Sequence, residues 1–396
     1  MAEERDHDIV LFGATGFTGG LVADYLAAHA PAGARIAFAG RHLAKLESVR
    51  ERVRPHLSAG VAEPALLQAD SGDAASLAAL AASTRVVATT VGPYLKYGAP
   101  LVAACATAGT GYLDLTGEPE FVDRMYLSHH AEALASGARL IHAAGFDSIP
   151  HDLGVLYTVD QMPADEPLSV NGYVWARGLF SGGTYHSAVG AMARLRQGVA
   201  AARERNAAER AVWDAQGRRV RGSTRPPHRE AVARGWVVSL PLIDAQIVLR
   251  SARALPEYGP DFTYGHYLAA GSLKNTALIL GAVSGVVLAA QTRPTRELAL
   301  KLRAPGEGPD AATRAKGRFK VTFTAQSGAG RRIVTSVSGG DPGYGETAKM
   351  LAEAALCLAY DDLPVCAGQV TTAQALGRPL ITRLGAAGIA FRVETA

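Results

Sequence analysis

The stretch Asp8-Ile-Val-Leu-Phe-Gly-Ala-Thr-Gly-Phe-Thr-Gly19 decides the fold of the first part of this chain. A short β-rich run leads into three glycines, and an amphipathic helix pattern follows at once. Such a strand, turn and helix presents backbone N–H groups to a pyrophosphate at a helix N-terminus. The spacing is G-x-x-G-x-x-G, not the commoner G-x-G-x-x-G. The expected nucleotide-binding residues are Gly13, Ala14, Thr15, Gly16, Phe17, Thr18 and Gly19.

A second strand signal, Arg35-Ile-Ala-Phe-Ala39, is followed by Gly40 and Arg41, with Lys45 one helical turn later. An NAD site usually has Asp or Glu here, which binds the ribose 2′-hydroxyl, whereas a cation suits a 2′-phosphate. We therefore expect Arg41 and Lys45 to select NADP(H). The alternative is that Arg41 merely ends a strand at the surface.

The composition is that of a globular protein, with 48% hydrophobic and 19% charged residues, and 396 residues suffice for two domains. A net charge of +4 is too small to indicate nucleic-acid binding by itself. The three cysteines form no C-x-x-C pair, and we predict neither a disulfide framework nor a metal site. The polar N-terminus does not resemble a signal peptide, so we expect a cytoplasmic protein.

Strand and helix signals alternate through the first 150 residues. This βαβ rhythm predicts a doubly wound parallel sheet, which binds ligands beyond the carboxyl ends of its strands. The cofactor-binding candidates at those ends are Asp70, Thr90, Val91, Gly92, Pro93 and Phe146. Asp70 is expected to meet the adenine amino group.

The pattern changes after about residue 155 and indicates a second domain on a largely antiparallel or mixed sheet. Its predicted elements are a strand at 169–176, a helix at 184–197, strands over 236–250 broken near Pro241, and a hairpin of 319–325 with 332–337. Helical patterns follow at 344–360 and 373–387, and a strand-like pattern at 389–393.

Residues 277–290 (ALILGAVSGVVLAA) carry no charge, but they are fewer than the roughly 20 residues needed to span a bilayer. Two interpretations remain open. The segment is a buried or interface helix, or it is an apolar wall of the active site or a helix that touches a membrane. The second interpretation would suit a lipid-like substrate.

Several stretches match one family of oxidoreductases in order and spacing. They are GATGFTGGLVADYL, AGR followed by KL, VGPY with YG shortly after, YLDLTGE, AGFDSIPHDLG, SGGT and DPGYGETAKMLAEAAL. On these stretches the chain resembles the saccharopine dehydrogenase-like oxidoreductases and, more narrowly, the actinobacterial trans-acting enoyl reductases.

The resemblance implies a Rossmann domain over 1–155, completed by 343–396, and an inserted mixed α+β substrate and dimerisation domain over 156–342. It implies NADPH as hydride donor and an α,β-unsaturated acyl thioester carried by a polyketide synthase that lacks its own enoyl reductase. A homodimer is expected from family habit and from the apolar segment 277–290. The substrate-binding arginines of true saccharopine-forming enzymes are not identifiable here.

The proton donor for such a reduction is expected at the carboxyl ends of the strands. Hydride addition to the β-carbon leaves an enolate, whose α-carbon needs a proton. No tyrosine begins a Y-x-x-x-K pair of the short-chain dehydrogenase kind. Tyr94 is the first candidate donor and Tyr97 the second, since both follow the fourth strand. Alternatively, both pack against the cofactor or shape the turn.

Asp147 and His151 follow the sixth strand, beside the predicted nicotinamide, and are further catalytic candidates. His151 would act as a proton shuttle. The alternatives are that Asp147 caps the helix near Pro150 and that His151 is structural. Asp114 and Glu118 bind a ribose or fix a loop, and we favour the structural role for Asp114.

Arginines are concentrated in one segment of the second domain, which holds eleven of them and four acids. The arginines are Arg194, Arg196, Arg203, Arg205, Arg210, Arg218, Arg219, Arg221, Arg225, Arg229 and Arg234. Such a patch would dock an acidic acyl carrier protein or hold the phosphate of phosphopantetheine or coenzyme A. The alternative is a solvated, partly disordered loop.

We therefore expect a cytoplasmic NADPH-dependent oxidoreductase of polyketide or lipid biosynthesis. Its substrate would be a large hydrophobic acyl chain on an acyl carrier protein or CoA, and it would reduce a carbon–carbon double bond. Two rivals remain: a saccharopine-type reductase acting on an imine, and a non-catalytic cofactor-binding scaffold associated with lipid or a synthase. The glycine turn does not separate them, because all three bind the dinucleotide.

Overall fold

The computed structural model describes residues 5–178, 182–215, 217–240, 242–301 and 308–395. Their contacts divide the chain into two units. Unit 1 comprises residues 5–145, 308 and 344–383, and unit 2 the described residues between 146 and 301 with 309–343 and 384–395. Ser181 of the SGGT stretch and Pro241, near which a strand break was predicted, lie outside the described residues.

Unit 1 is built on a seven-stranded sheet in which every neighbouring pair is parallel. Its strands are β1 (His7–Phe12), β2 (Ile36–Gly40), β3 (Ala65–Gln68), β4 (Thr84–Thr89), β5 (Gly111–Asp114), β6 (Arg139–Ile141) and β14 (Gly368–Val370). Their order is β14-β6-β5-β4-β1-β2-β3. The predicted Rossmann-type sheet is confirmed, because this order has the reversal between β1 and β4 that defines that fold.

The helices of unit 1 pack in two groups. They are α1 (Phe17–His29), α2 (Leu43–Val53), α3 (Ala74–Ala82), α4 (Tyr94–Tyr97), α5 (Ala99–Ala108), α6 (Pro119–Ser136), α14 (Gly345–Tyr360), α15 (Thr372–Ala375) and the start of α16 (Gly377–Ala386). α5 packs against α3 and α6, whereas α1 packs against α2 and α14. The hydroxyl of Tyr25 donates to Glu353 over 2.7 Å and so ties α1 to α14.

Unit 2 contains an eight-stranded mixed sheet. Its strands are β7 (Leu168–Arg177), β8 (Arg219–Ser223), β9 (His228–Glu230), β10 (Gly235–Ser239), β11 (Asp261–Gly271), β12 (Arg318–Ser327), β13 (Arg332–Gly339) and β15 (Ala390–Thr395). Seven of them run in the order β15-β13-β12-β7-β11-β10-β9, and β8 pairs with β11. The β11 strand is parallel to β7 and β8, and the other pairs are antiparallel. The predicted hairpin is β12 with β13.

Unit 2 contains helices in two segments for which the sequence analysis considered strands or a loop. They are α7 (Ile149–Val159), α8 (Gly182–Ala193), α9 (Leu195–Ala215), α10 (Ile243–Ala254), α11 (Leu273–Ala290), α12 (Arg293–Lys301) and α13 (Ala311–Arg314). The strands predicted over 236–250 were only half right, because α10 follows β10. The alternative interpretation of the arginine-rich segment as a partly disordered loop is wrong for most of its length, since α9 and β8 cover much of it.

The last strand also differs from the expectation that 343–396 completes the Rossmann domain. β15 pairs antiparallel with β13, with Val337 opposite Phe391, and so belongs to the sheet of unit 2. Only 344–383 return to unit 1. Unit 1 also ends earlier in the chain than the expected residue 155, at Gly145, because α7 packs on β12 and β13 of unit 2.

α11 contains the apolar segment 277–290. Among the described residues this helix is long and apolar enough to cross a membrane. Length and composition alone do not distinguish a membrane-spanning helix from a core helix of a globular protein. Only 11% of this helix is buried, and Leu278 and Leu288 are 70% and 72% exposed. The interpretation as a helix buried within the chain is therefore wrong.

Candidate functional site

The glycine turn after β1 has the backbone that a phosphate cradle requires. Gly13 has φ +95°, in the left-handed region that favours glycine, and its N–H donates to the Ala39 carbonyl over 2.9 Å. A Cβ on Gly13 would come within 2.8 Å of Thr90 Oγ1. A Cβ on Gly19 would overlap the Gly13 carbonyl. Both glycines are therefore needed for the close approach of α1 to the end of β4.

Gly16 differs from the other two glycines because its surroundings are open. A Cβ there would meet only the Gly13 carbonyl oxygen, at 3.5 Å. Gly16, which has no side chain, is the N-cap of α1, and the first turn of this helix holds no acid. Thr15 and Gly16 are exposed, whereas Ala14 is buried. An exposed helix N-terminus without a capping side chain fits the pyrophosphate of a dinucleotide.

Arg41 and Lys45 lie beyond the end of β2, and both are exposed. Within the described residues neither side chain has a hydrogen-bond or ion-pair partner, and Arg41 takes part only through its carbonyl, which accepts from Gln68. Two unpaired cations at the end of the second strand suit the 2′-phosphate of NADP(H).

The remaining cofactor candidates of unit 1 also follow strand ends. Asp70 is exposed and accepts a hydrogen bond from the Gly72 N–H over 2.8 Å, so its carboxylate shapes the turn after β3. The Thr90 hydroxyl donates to the Gly13 carbonyl over 3.2 Å and joins the end of β4 to the glycine turn. Val91 to Pro93 continue from Thr90, with Gly92 and Pro93 exposed.

The hydroxyl of Tyr94 is hydrogen-bonded to backbone groups. Its side chain is 5% exposed, and its hydroxyl donates to the Thr89 carbonyl over 3.2 Å and accepts from the Leu115 N–H over 3.1 Å. Both functions of the hydroxyl are occupied by the backbone at the ends of β4 and β5, which does not favour a proton donor. Tyr97 is only half-buried, and its ring lies 4.7 Å from Lys96 Nζ.

Asp114 and His142 form a buried pair in unit 1, with His142 Nδ1 2.6 Å from Asp114 Oδ2. The carboxylate also accepts from the Tyr112 hydroxyl and from the N–H groups of Thr116 and Ala143. Glu118 is likewise buried and accepts from the N–H groups at the start of α4. These carboxylates fix loops, in agreement with the role favoured for Asp114.

Unit 2 contains a second buried cluster of titratable groups. His151 on α7 lies beside Asp244 at the start of α10, with Nδ1 to Oδ1 3.0 Å. His266 on β11 lies with Nε2 3.8 Å from the other Asp244 oxygen. The rings of His151 and His266 are 4.9 Å apart, and the Tyr264 hydroxyl is 3.2 Å from His266 Nδ1. In the part of the chain that is described, no group of three or more such residues could hold a metal ion.

The cluster separates the protonation states of its members. Burial lowers the pKa of His266 to about 4, so this ring is neutral near pH 7. Burial opposes ionisation of Asp244, but the contacts with His151 and His266 outweigh it and hold the Asp244 pKa below its ordinary value. Asp244 is therefore an ionised carboxylate between two imidazoles.

Asp147 is the acid of the cluster. Burial, and secondly the charge of Asp244, raise the pKa of Asp147 to about 7, although His151 opposes this shift. The residue as a whole is half-buried, and its carboxyl has no hydrogen-bond or ion-pair partner in the described residues. The N-cap of α7 is Ser148, so the alternative in which Asp147 caps this helix is wrong. A carboxyl of this kind can both give and take a proton near neutral pH.

Phe146, expected to line the cofactor, makes its ring contacts within unit 2. Its centroid lies 4.9 Å from that of Phe319 and 5.9 Å from that of His151. The sequence analysis missed Asp244 and His266. The available signal was a helical spacing in 243–252 around one acid, with buried positions at Ile243, Ile247 and Val248.

Comparisons with known proteins agree with this architecture. Residues 9–141 match the saccharopine dehydrogenase NADP binding domain. The structure aligns with saccharopine dehydrogenase (L-Glu forming) from Saccharomyces cerevisiae, with a TM-score of 0.58, 12% identity, and 98% of this chain and 100% of that chain covered. At this identity the likeness shows the fold alone.

Full-length relatives carry a more specific name. The trans-acting enoyl reductase of Mycobacterium tuberculosis is 35% identical, over 98% of this chain and 97% of its own length. The trans-acting enoyl reductase of Mycobacterium leprae is 34% identical, over the same shares of both chains. The chain is an NADP-dependent oxidoreductase with a Rossmann-type domain, and it belongs to the trans-acting enoyl reductase family of saccharopine dehydrogenase-like proteins.

Proposed function

We propose that this protein reduces the carbon–carbon double bond of an α,β-unsaturated acyl thioester. The names of its full-length relatives support the reaction. The observation that carries the chemistry is the unpaired Asp147 carboxyl, whose pKa is raised to about 7 by burial and the neighbouring Asp244 charge. Enoyl reduction needs such an acid, because it consumes one proton for each hydride.

The cofactor is held by unit 1. When bound, NADPH supplies the hydride. The backbone N–H groups between Gly13 and Gly19 would hold the pyrophosphate, and Arg41 with Lys45 the 2′-phosphate. Asp70 would meet the adenine, and the backbone of Thr90 to Pro93 would line the nicotinamide half.

Asp147 would supply the proton. Addition of hydride to the β-carbon moves the double-bond electrons onto the thioester and forms an enolate. The protonated Asp147 would donate to the α-carbon, which regenerates the carbonyl and leaves an Asp147 carboxylate. His151 would return a proton to that carboxylate, and the ionised Asp244 would hold the His151 ring in place. Tyr97 remains the second candidate donor.

The substrate would be a large hydrophobic acyl chain, delivered on an acyl carrier protein or on CoA by a synthase. The protein would work in the cytoplasm. A homodimer, or a lipid surface, would cover α11, whose apolar side chains are exposed.

The test is oxidation of NADPH, followed by absorbance, with crotonyl-pantetheine, crotonyl-CoA and a panel of cyclic imines. Product must appear as the saturated thioester in a one-to-one ratio with oxidised NADPH. Calorimetric titration with NADPH and NADH tests the cofactor site, and we expect tighter binding of NADPH. Turnover of imines alone would contradict the proposal, as would tight NADPH binding without reduction of any enoyl thioester.

A further inference from the structure

The arginines of α9 fall into two groups. Arg205 is 4% exposed and forms a buried ion pair with Glu209, Nη2 to Oε1 3.0 Å. Arg196, Arg203 and Arg210 are exposed. Within the described residues these three guanidinium groups have no hydrogen-bond or ion-pair partner. The helix therefore neutralises its buried arginine and leaves three charges unpaired.

The three exposed arginines share one face of α9. They are spaced by seven residues, which is close to two helical turns, so they form a row about 21 Å long. The buried positions Ala201, Arg205 and Glu209 lie on the opposite face. The row consequently points away from the packed side of its own helix.

Apolar side chains accompany the row. Val199 lies between Arg196 and Arg203 by helical spacing and is 45% exposed, and Leu195 at the start of the helix is 49% exposed. Arginine is enriched at surfaces that bind proteins, and the exposed aliphatic side chains add apolar area beside the row. The net charge of the whole chain is only +4, so the row is a local feature and not part of a general polyanion-binding field.

We propose that the face of α9 formed by Arg196, Val199, Arg203 and Arg210 docks an acidic helical carrier domain that presents the thioester substrate. This inference rests on the proposed function, because a tethered acyl chain must arrive with its carrier. The row suits a partner helix whose carboxylates recur every two turns, and Val199 adds an apolar contact at its centre. Opposite charges along such a row would speed association and fix the register of the two helices.

The experiment uses the full-length protein and a fluorescently labelled acidic acyl carrier protein that bears a crotonyl-phosphopantetheine. The test variant combines Arg196→Glu, Arg203→Glu and Arg210→Glu. The control combines Arg331→Glu, Arg332→Glu and Arg392→Glu, three exposed arginines near the β13–β15 side of the same unit. Both variants change the net charge by the same amount, so a difference between them reports position and not total charge.

We expect the Kd of the carrier, measured by fluorescence anisotropy, to rise at least tenfold in the α9 variant and less than threefold in the control. Wild-type binding should weaken as salt is added. The kcat/KM for crotonyl-pantetheine should stay within twofold in both variants, whereas that for the carrier-bound substrate should fall only in the α9 variant.

Equal losses in the two variants, or wild-type protein that does not bind the carrier, would overturn the docking surface. The proposal would also be overturned if the α9 variant lost binding to a DNA duplex or to anionic lipid vesicles but still bound the carrier as tightly as the wild type. The binding measurement needs no turnover. A wild-type protein that binds the carrier through the α9 row but reduces no thioester would therefore refute the proposed reaction and leave the docking surface standing.

Discussion

The Asp114–His142 pair of unit 1 and the Asp244–His151 pair of unit 2 consist of the same two side chains, but their surroundings differ. Asp114 accepts three further hydrogen bonds, two of them from backbone N–H groups at the ends of β5 and β6. Asp244 is shared between two imidazoles and, after burial, is the second cause of the raised pKa of Asp147. The oxygens of Asp114 are therefore occupied by hydrogen bonds, whereas Asp244 influences the pKa of an acid that has no hydrogen-bond or ion-pair partner in the described residues.

This difference in surroundings distinguishes a pair that fixes loops from the pair to which we assign a part in proton transfer, although both consist of the same residue types. A buried carboxylate whose oxygens all accept hydrogen bonds stabilises the fold. A buried carboxylate beside an unpaired acid instead opposes the ionisation of that acid and adds to the effect of burial in raising its pKa. Replacing single members of each pair should therefore change different properties of the protein.

The largest effect is expected for Asp147→Asn, which keeps the shape of the side chain but cannot donate a carboxyl proton. Turnover of an enoyl thioester should fall by roughly 10²- to 10⁴-fold, the usual contribution of a general acid. The Kd of NADPH, measured by calorimetry, should not change. Asp165→Asn, at an exposed acid of the same unit, serves as the control, and a similar loss there would contradict the assignment.

A large effect on stability is expected for Asp114→Asn. The amide cannot accept from all the donors that Asp114 holds, and it leaves His142 without its anion. The free energy of unfolding should fall by about 3–5 kcal/mol, measured by urea denaturation. Turnover per folded molecule should stay within threefold at low temperature. An Asp114→Asn variant that is as stable as the wild type but has lost its activity would contradict the structural role of the Asp114–His142 pair.

Asp244→Asn should change the pH dependence of the reaction. The proposed acid must be protonated, so the rate falls as pH rises through the Asp147 pKa of about 7. Loss of the Asp244 charge removes a cause that raises this pKa, and the fall should therefore begin at lower pH. The measurement is kcat against pH at saturating NADPH. If the profile shifted to higher pH, or did not change, the proposed influence of Asp244 on the proton donor would be contradicted.

The smallest effect is expected for His266→Gln. Burial keeps His266 neutral above about pH 4, so its charge does not contribute near neutrality. Gln retains a polar group beside Asp244 and Tyr264, and kcat between pH 6 and 8 should change less than threefold. A loss as great as that of Asp147→Asn would mean that His266 itself carries the proton.

The sequence predicted what is encoded in contiguous residues. The glycine turn, Arg41 and the strand ends of the Rossmann sheet follow from local spacing, because each motif consists of neighbours along the chain. Asp147 and His151 were also within reach, since they follow β6 directly. Asp244 and His266 were not, because α10 and β11 bring them to α7 from about a hundred residues away, and 236–250 had been interpreted as strands.

Two other residues show where local patterns stop being informative. The position of Tyr94 after the fourth strand suggested a proton donor, but the partners of its hydroxyl are the backbone groups of Thr89 and Leu115, which no spacing reveals. Counting arginines in 194–234 gave their number but not their faces. The seven-residue row on α9 becomes visible only once the segment is known to be one helix.

The return of residues 344–383 to unit 1 has a consequence for how the protein is made. The first 145 residues form six of the seven parallel strands, but α14, which covers α1, is encoded about 200 residues later. At ribosomal speeds of roughly 5–20 residues per second, α14 is synthesised about 10–40 s after the first six strands of the sheet. During that interval the apolar surface that α14 will cover is exposed and can bind chaperones.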